Sequence, residues 1–235
     1  MSDGTHFERW FREGTREEGD PIPAATVVLV REANGELETL MLKKNSKLAF
    51  GGMWVFPGGR IDDADWADTE NVEAAARRAA VREATEEAAL VVDEDSLAFI
   101  SHWTPPGLAP KRFATWFFVA PAPEGAVTID MGEIHDEAWM RPSDALVRRD
   151  KLEIELAPPT WVTLHYLAEF ESLDALMADA HAREPEYFET AMGRNDEGMA
   201  ALWRGDAGYA SGDLDAPGAR HRLYMVKSGW RLERS

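Results

Sequence analysis

The sequence predicts an α/β protein in which several short strands surround one long acidic helix. Three observations carry this reading. β-rich apolar runs bounded by turn residues recur through the first two-thirds of the chain. One stretch, residues 72–89, combines an apolar side with a face of carboxylates. The final third shows helical spacing and then short runs separated by Gly, Asp and Pro, which predicts a C-terminal helical plus β-hairpin extension.

The elements follow in order. After a polar N-terminal arm carrying Trp10 and Phe11, residues 24–30 read as the first strand and 36–42 as its partner. Asn34-Gly35 between them is a hairpin turn, because both residues tolerate positive φ. Residues 53–56 form a short strand that delivers Gly58-Gly59, and the helix follows over about 72–89. Residues 97–103, 113–120 and 138–141 are further strands, and Ser143 is expected to cap a short helix over 144–149. Pro158-Pro159-Thr160 reads as a stop followed by a cap, with helical spacing over 161–170. Ser172 caps another helix, 173–182, and residues 221–227 and 230–233 flank Ser228-Gly229 as a β-hairpin.

Length and composition fit one enlarged domain. Its parts are residues 1–157, including the N-terminal arm, and an extension, 158–235, packed on the same core. The chain has 0 cysteines, which excludes disulfides, thiolate chemistry and a Cys-based zinc site. It has no apolar run long enough to span a bilayer and no basic and apolar regions of a secretory signal, so a cytoplasmic protein away from membranes is expected. A net charge of -18 argues against nonspecific binding to DNA or RNA, whose phosphates demand a basic surface. A small phosphorylated substrate remains compatible, because its charge can be met locally by a metal and a few cations.

In a chain this acidic, an acidic helix face is ordinarily solvated surface. Three features set this one apart. Val81, Ala84, Ala88 and Leu90 give the helix an apolar side, so packing fixes its orientation. Arg82 stands immediately before the first glutamate, and Val55-Phe56-Pro57 introduces a glycine pair upstream. At roughly 100° per residue, Glu83, Glu86 and Glu87 project from one face, and their mutual repulsion calls for a positive partner. Divalent cations are the natural counter-charge.

This combination resembles the Nudix box of the Nudix hydrolase superfamily. The family pattern is Gly, five residues, Glu, seven residues, Arg-Glu, an aliphatic, any residue, Glu-Glu, any residue, Gly and an aliphatic. Gly59 matches the opening glycine, and Asp65 stands where the family has Glu. Counting back from Arg82, the same position falls on Ala74, so the box is lengthened, and either Asp65 or Glu73 takes the role of that first acid. Ala89 replaces the glycine that normally ends the helix. Alanine in a left-handed conformation costs roughly 1 kcal/mol, so the helix end is expected to be reshaped or extended.

The resemblance implies an α/β/α sandwich with a mixed sheet and a metal-dependent pyrophosphatase that hydrolyses a nucleoside diphosphate linked to another moiety. Magnesium or manganese would be held by Glu83 and Glu87, with Glu86 contributing and the Gly59 carbonyl completing the shell. Arg82 would orient Glu83 and hold it ionised. Many members draw a further acid from a loop after the helix. Glu133 is the first choice here, as general base or ligand, and Glu137 the second, with His135 a surface residue. The alternative is a Nudix-fold sensor that binds a nucleotide without turning it over.

A closer resemblance rests on residues 40–65, the lengthened box, residues 112–118 and Pro158-Pro159-Thr160. These are similar to the Nudix branch that includes the peroxisomal coenzyme A diphosphatases, over roughly residues 24–182. The coenzyme A motif before the box usually holds a more basic, Arg-containing stretch. Here Lys43, Lys44 and Lys47 are followed by Ala49-Phe50-Gly51-Gly52. Coenzyme A or its esters, ADP-ribose, NADH and dinucleoside polyphosphates are therefore the rival substrates. Lys43, Lys44, Arg60 and Arg112 are the candidate phosphate contacts, and Trp54, Trp103 and Trp116 the candidate stacking surfaces. Arg77 and Arg78 read as helix-surface ion pairs with neighbouring acids. The C-terminal hairpin is the expected contact if the chain forms a homodimer.

Overall fold

Strand β1 (Ile22–Ala33) carries an unbroken apolar run and is buried on both faces, Val27 and Leu29 on one side and Val28 and Val30 on the other. The computed structural model describes residues 19–45, 51–107, 109, 112–226 and 229–235. Trp10, Phe11, Lys47, Ala49, Phe50 and Ser228 lie outside the described residues.

Strand β2 (Glu36–Lys44) returns antiparallel to β1 through Asn34 and Gly35, whose φ values of 54° and 80° are those of the expected hairpin turn. On the opposite edge β6 (Phe113–Pro121) runs parallel to β1, and β5 (Ala98–Thr104) antiparallel to β6, so the sheet is mixed. A strand absent from the sequence reading, β8 (Glu186–Glu189), extends that edge parallel to β5. Strands β3 (Trp54–Val55) and β7 (Ile134–Met140) both pair with β2. The three residues of β4 (Gly58–Arg60) pair instead with the start of β1. Between them β2 and β4 share one edge of β1, and the chain parts where β2 gives way to β4.

Helix α1 (Val72–Ala88) covers one face. Asn71 caps it, its side chain accepting from the Glu73 and Ala74 N–H groups at 2.9 and 3.4 Å. Ala76, Ala79, Ala80 and Ala84 are fully buried against Ala25, Val27 and Leu29, and side chains this small let the helix lie close to the strands. Helices α2 (Pro142–Asp150), α3 (Pro158–Leu167) and α4 (Leu173–Ala182) bury their apolar residues in the cluster on the other face, with Trp161, Leu164 and Leu176 packed among Val28, Val30 and Met41. Helices on both faces of a mixed sheet make the α/β/α sandwich.

Four expectations are corrected. Ala89 neither reshapes nor extends the helix end. It adopts the left-handed conformation itself, φ 55° and ψ 30°, donating its N–H to the Ala84 and Thr85 carbonyls. The buried Leu90 and a 3.0 Å bond from Thr128 N–H to the Ala88 carbonyl hold that geometry. Ser143 is not the cap of α2. Pro142 is the first helical residue and Arg141 the cap, since proline lacks an N–H that the first turn would leave unpaired. Pro158 and Pro159 likewise open α3 rather than stop the chain, with Ala157 as the cap, and the helix ends at Leu167. Arg78 does not pair with acids. It donates to the carbonyls of Asp65 and Ala67, while Arg77 pairs with Glu73 at 2.8 Å.

Ser172 caps α4, its Oγ accepting from the Ala175 N–H at 3.3 Å. Beyond it lies a second antiparallel sheet, ordered β12-β11-β10-β9, from β9 (Ala191–Arg194), β10 (Met199–Leu202), β11 (His221–Val226) and β12 (Gly229–Arg234). The expected hairpin is its last two strands. A buried ion pair ties this sheet to the loop before β11. Arg222 Nη2 meets Asp206 Oδ1 at 2.6 Å and its Nε meets Oδ2 at 2.7 Å, both side chains fully buried. Burial pushes the Asp206 carboxyl up, but the Arg222 guanidinium and the N–H groups of His221 and Gly208 outweigh it and hold the pKa at about 2.

Replacing Ala89 by Gly should stabilise the fold by about 0.5–1 kcal/mol, relief of left-handed strain exceeding the added freedom of the unfolded chain. Urea unfolding checks this, as a raised midpoint at unchanged slope. Asp206→Ala should cost about 3–5 kcal/mol, because Arg222 stays buried without its partner. An Asp206 pKa depressed below the usual ~3.9 stabilises the fold fully above that value. The contribution is lost as pH falls through about 2, so the acid limb of a stability–pH curve should be shallower in the variant.

Candidate functional site

The parting of β2 from β1 leaves a cavity of about 570 Å³ whose wall includes Gly58, Gly59 and the acidic face of α1. Glu87 is nearly buried, at 4% exposure, and both its oxygens are engaged. Gly58 N–H donates to Oε2 at 2.9 Å, and Lys44 Nζ, at the end of β2, donates to Oε1 at 2.7 Å. Burial pushes the Glu87 carboxyl up, partly offset by Lys44 and the Gly58 N–H. The Lys44 ammonium is held above its usual value in spite of burial, by the carboxylates of Glu87, Glu133 and Glu83.

Arg82 organises the other carboxylates. It donates to Glu83 Oε1 at 2.8 Å, to Glu86 Oε2 at 3.0 Å and to the Arg60 carbonyl at 2.9 Å. It is itself fixed by Asp65, with contacts of 3.2 and 2.9 Å to the two carboxylate oxygens. Asp65 is brought there by a 3-10 turn, Asp63–Trp66, in which the Asp62 N–H also donates to it at 2.9 Å. Of the two candidates for the first acid, the structure therefore sets Asp65 against Arg82 and leaves Glu73 on the helix surface with Arg77. Glu83 is raised by burial and by the charges of Glu87 and Glu86, against the pull of Arg82.

The loop acid Glu133 is exposed and lies on the cavity wall, 3.5 Å from Lys44 Nζ. Its loop is tethered at both ends. The Asn45 N–H bonds the Glu133 carbonyl at 2.8 Å, and the Asp130 N–H bonds the Glu87 carbonyl at 3.4 Å. Glu137 sits within β7 opposite Leu42 and, like the exposed His135, is not on the cavity wall. Arg60 reaches the cavity, but Lys43 and Arg112 do not. Successive strand residues face opposite ways, so Lys44 turns Lys43 away from the cavity. Arg112 is used at the start of β1, donating to the Gly19 carbonyl at 3.3 Å. Trp54 is core, Trp116 packs against Phe99 with ring centroids 4.7 Å apart, and Trp103 lines the cavity while stacked on Phe188 at 3.9 Å.

Asp130 is a further acid on the cavity wall that the sequence reading passed over. Its Asp-Met-Gly spacing was the available signal, because the Gly132 N–H closes a turn onto Asp130 Oδ1 at 2.8 Å. Thr190, Met192 and Ala201 also line the cavity, and for them no signal existed while β8, β9 and β10 went unread.

Among the described residues no group of His, Cys, Asp and Glu already converges as a metal cage. The donor set nevertheless fits a hard divalent ion, being all oxygen, with Glu83, Glu86 and Glu87 facing one cavity. Room beside them is kept by Gly59, where a Cβ would collide with the Glu83 carboxylate.

A mixed-sheet sandwich whose acidic helix face opens on a cavity defines the class, and the comparisons name the family. The family model described as NUDIX domain matches residues 20–167, more than half of the chain, so this protein belongs to that family and is a Nudix hydrolase. No curated protein sequence matches it. Among solved structures, a NUDIX hydrolase from Alicyclobacillus acidocaldarius is 22% identical with a TM-score of 0.63, covering 68% of this chain and 96% of that one. The NUDIX domain of Shewanella oneidensis NrtR, complexed with ADP ribose, is 20% identical with a TM-score of 0.48, covering 71% and 98%. A C. elegans Ap4A hydrolase in a binary complex is 24% identical with a TM-score of 0.42, covering 63% and 99%.

Two substitutions separate the two acids. Asp65→Ala should destabilise the protein by about 2–4 kcal/mol, since it strips a part-buried arginine of its bidentate partner. Glu73→Ala should change stability by less than about 0.5 kcal/mol, the worth of a half-exposed i,i+4 pair on a helix surface. Chemical denaturation of both variants checks the contrast.

Proposed function

We propose that this protein is a divalent-cation-dependent pyrophosphatase, cleaving a diphosphate that joins a nucleoside to a second group. The carrying observation is the placement of Glu83, Glu86 and Glu87 beside Gly58-Gly59 on the wall of one 570 Å³ cavity. Glu83 and Glu87, with Glu86 and the Gly59 backbone, are the residues to hold magnesium or manganese. Bound there, the ion would neutralise phosphate charge and lower the pKa of the attacking water.

The chain's own groups support this chemistry. Arg82, fixed by Asp65, aims the Glu83 carboxylate and keeps Glu86 beside it. Glu133 is exposed on a tethered loop and is our candidate to accept the water proton. In the overall reaction the water oxygen bonds to one phosphorus and the bridging P–O bond breaks. The products are a nucleoside monophosphate and the phosphorylated second group. Arg60, on the cavity wall, is the candidate phosphate contact, and Lys44 acts on Glu87 rather than as a free phosphate ligand. Coenzyme A or its derivatives, ADP-ribose, NADH and dinucleoside polyphosphates are the substrates to compare. A cytoplasmic site of action belongs to the same reading; among the described residues no helix is long and apolar enough to cross a membrane.

Assayed on that panel with magnesium or manganese, the wild type should turn over at least one substrate, and Glu83→Gln should lose at least about 10²-fold in kcat while keeping its thermal midpoint. Near-normal turnover of that variant would remove Glu83 from the mechanism, and binding without turnover across the panel would identify a sensor. Glu133→Gln should give a smaller, metal-concentration-dependent defect. No change at any metal level would reassign the proton acceptor.

A further inference from the structure

The cavity wall is divided by charge. Its ionisable residues come from the end of β2, the β4 segment, α1 and the 130–133 loop, and include Lys44, Arg60, Glu83 and Glu133. The rest of the wall comes from the start of β1, β3 with Phe56, the Gly58-Gly59 backbone, the end of β5 and the residues after it, the first half of β6, Ala157 with the start of α3, and β9 and β10 with the residue just before β9. Among the described residues that part carries no ionisable side chain. Phe117, Trp103, Pro158, Met192 and Ala201 line it, with Thr190 among its few hydroxyls. Met192 and Ala201 face each other in the β9–β10 register, so the second sheet contributes this pair to the wall. Both lie beyond residues 20–167, the segment that matches the family.

A second nucleotide would be poorly served here. Its phosphates need cations, and its charge would have to be met here by threonine hydroxyls alone among the described residues. The described uncharged wall offers hydroxyls and carbon. Apolar contact, by contrast, is what Phe117, Trp103 and Met192 supply, and a wall whose described residues carry no ionisable side chain favours a group that carries no charge.

We infer that the second sheet, through Met192 and Ala201, completes with Phe117, Trp103 and Pro158 a specificity chamber for an uncharged, largely apolar arm carried on the diphosphate, with Met192 as its determining residue. This rests on the pyrophosphatase reading for which end of the cavity holds the diphosphate. It extends that reading by assigning substrate choice to residues outside the family's matched segment. Met192 is suited to the role because it is only partly buried and flexible, so it can close on an arm of variable shape.

The test uses adenosine diphosphate β-alkyl esters, methyl to hexyl, with magnesium and the full chain. Turnover is followed as kcat/KM, and binding is measured by calorimetry on the wild-type protein with calcium, a hard ion of the same charge, in place of magnesium. We expect kcat/KM and affinity to rise by up to about fourfold per methylene until the chamber is filled. Met192→Glu should lower the hexyl-to-methyl ratio by at least about tenfold. Met192→Gln, a milder change that keeps the side-chain length, should lower it in the same direction should the first variant not fold. A flat wild-type series, an unchanged ratio in the Met192 variants, or tighter binding of a diadenosine polyphosphate than of the hexyl ester would overturn the chamber. The two readings fail separately. Absent turnover of every ester counts against the pyrophosphatase, whereas the dependence of binding on chain length decides the chamber in either case.

Discussion

Three of the acids around the site, Asp65, Glu83 and Glu86, are organised by Arg82. In a chain of net charge -18, the acidic face of α1 would repel itself and splay its side chains into solvent without a cation at its centre. Arg82 meets Asp65, Glu83 and Glu86 at 2.9, 2.8 and 3.0 Å and also binds the Arg60 carbonyl. One planar guanidinium thus ties the 3-10 turn, the β4 segment and the helix into a single frame. A lysine could supply the charge but not the fork that grips both Asp65 oxygens while reaching Glu83.

The frame works only because the helix sits close and sits still. Its buried residues are almost all alanine, so the backbone of α1 approaches β1 without large side chains between them. Gly58 and Gly59 answer from the sheet. A Cβ at Gly58 would strike Thr26, and one at Gly59 would strike the Glu83 carboxylate. Close packing brings the Gly58 N–H within 2.9 Å of Glu87 and makes a buried carboxylate tolerable there, with Lys44 closing the other side. Packing and electrostatics are here one constraint.

Much of this was legible in the sequence, because local rules fixed it. Asn34-Gly35 announced the first hairpin, Ser172 announced α4, and the Arg82 to Glu87 run placed three acids on one helix face. The misses have physical causes. Proline was read as a terminator at 158–159 and overlooked at 142, although it opens a helix as readily as it ends one. Asp65 could not be preferred to Glu73 from spacing, since the deciding fact is the 3-10 turn that folds it back onto Arg82. Ala89 keeps a conformation that suits glycine because tertiary hydrogen bonds hold it there. The short strands β8 to β10 carry little alternation of their own and are set by their partners, and that concealed Thr190, Met192 and Ala201 as lining residues of the cavity.

The charge of the cavity wall bears on the metal in the proposed function. Among the described residues on the cavity wall, the cations are Lys44, Arg60 and Arg82, against Asp62, Glu83, Glu86, Glu87, Asp130 and Glu133. Two of those three cations are committed, Lys44 to Glu87 and Arg82 to three acids. Arg60, 3.4 Å from Asp62, is the most exposed of them. The proposed diphosphate would add further negative charge to a wall already in deficit, so its binding would require counter-charge from outside the chain. An oxygen-only donor set admits a hard divalent ion more readily than a soft one. Under the proposed function, the acidity that would otherwise repel the substrate would thereby draw in the ion that binds it.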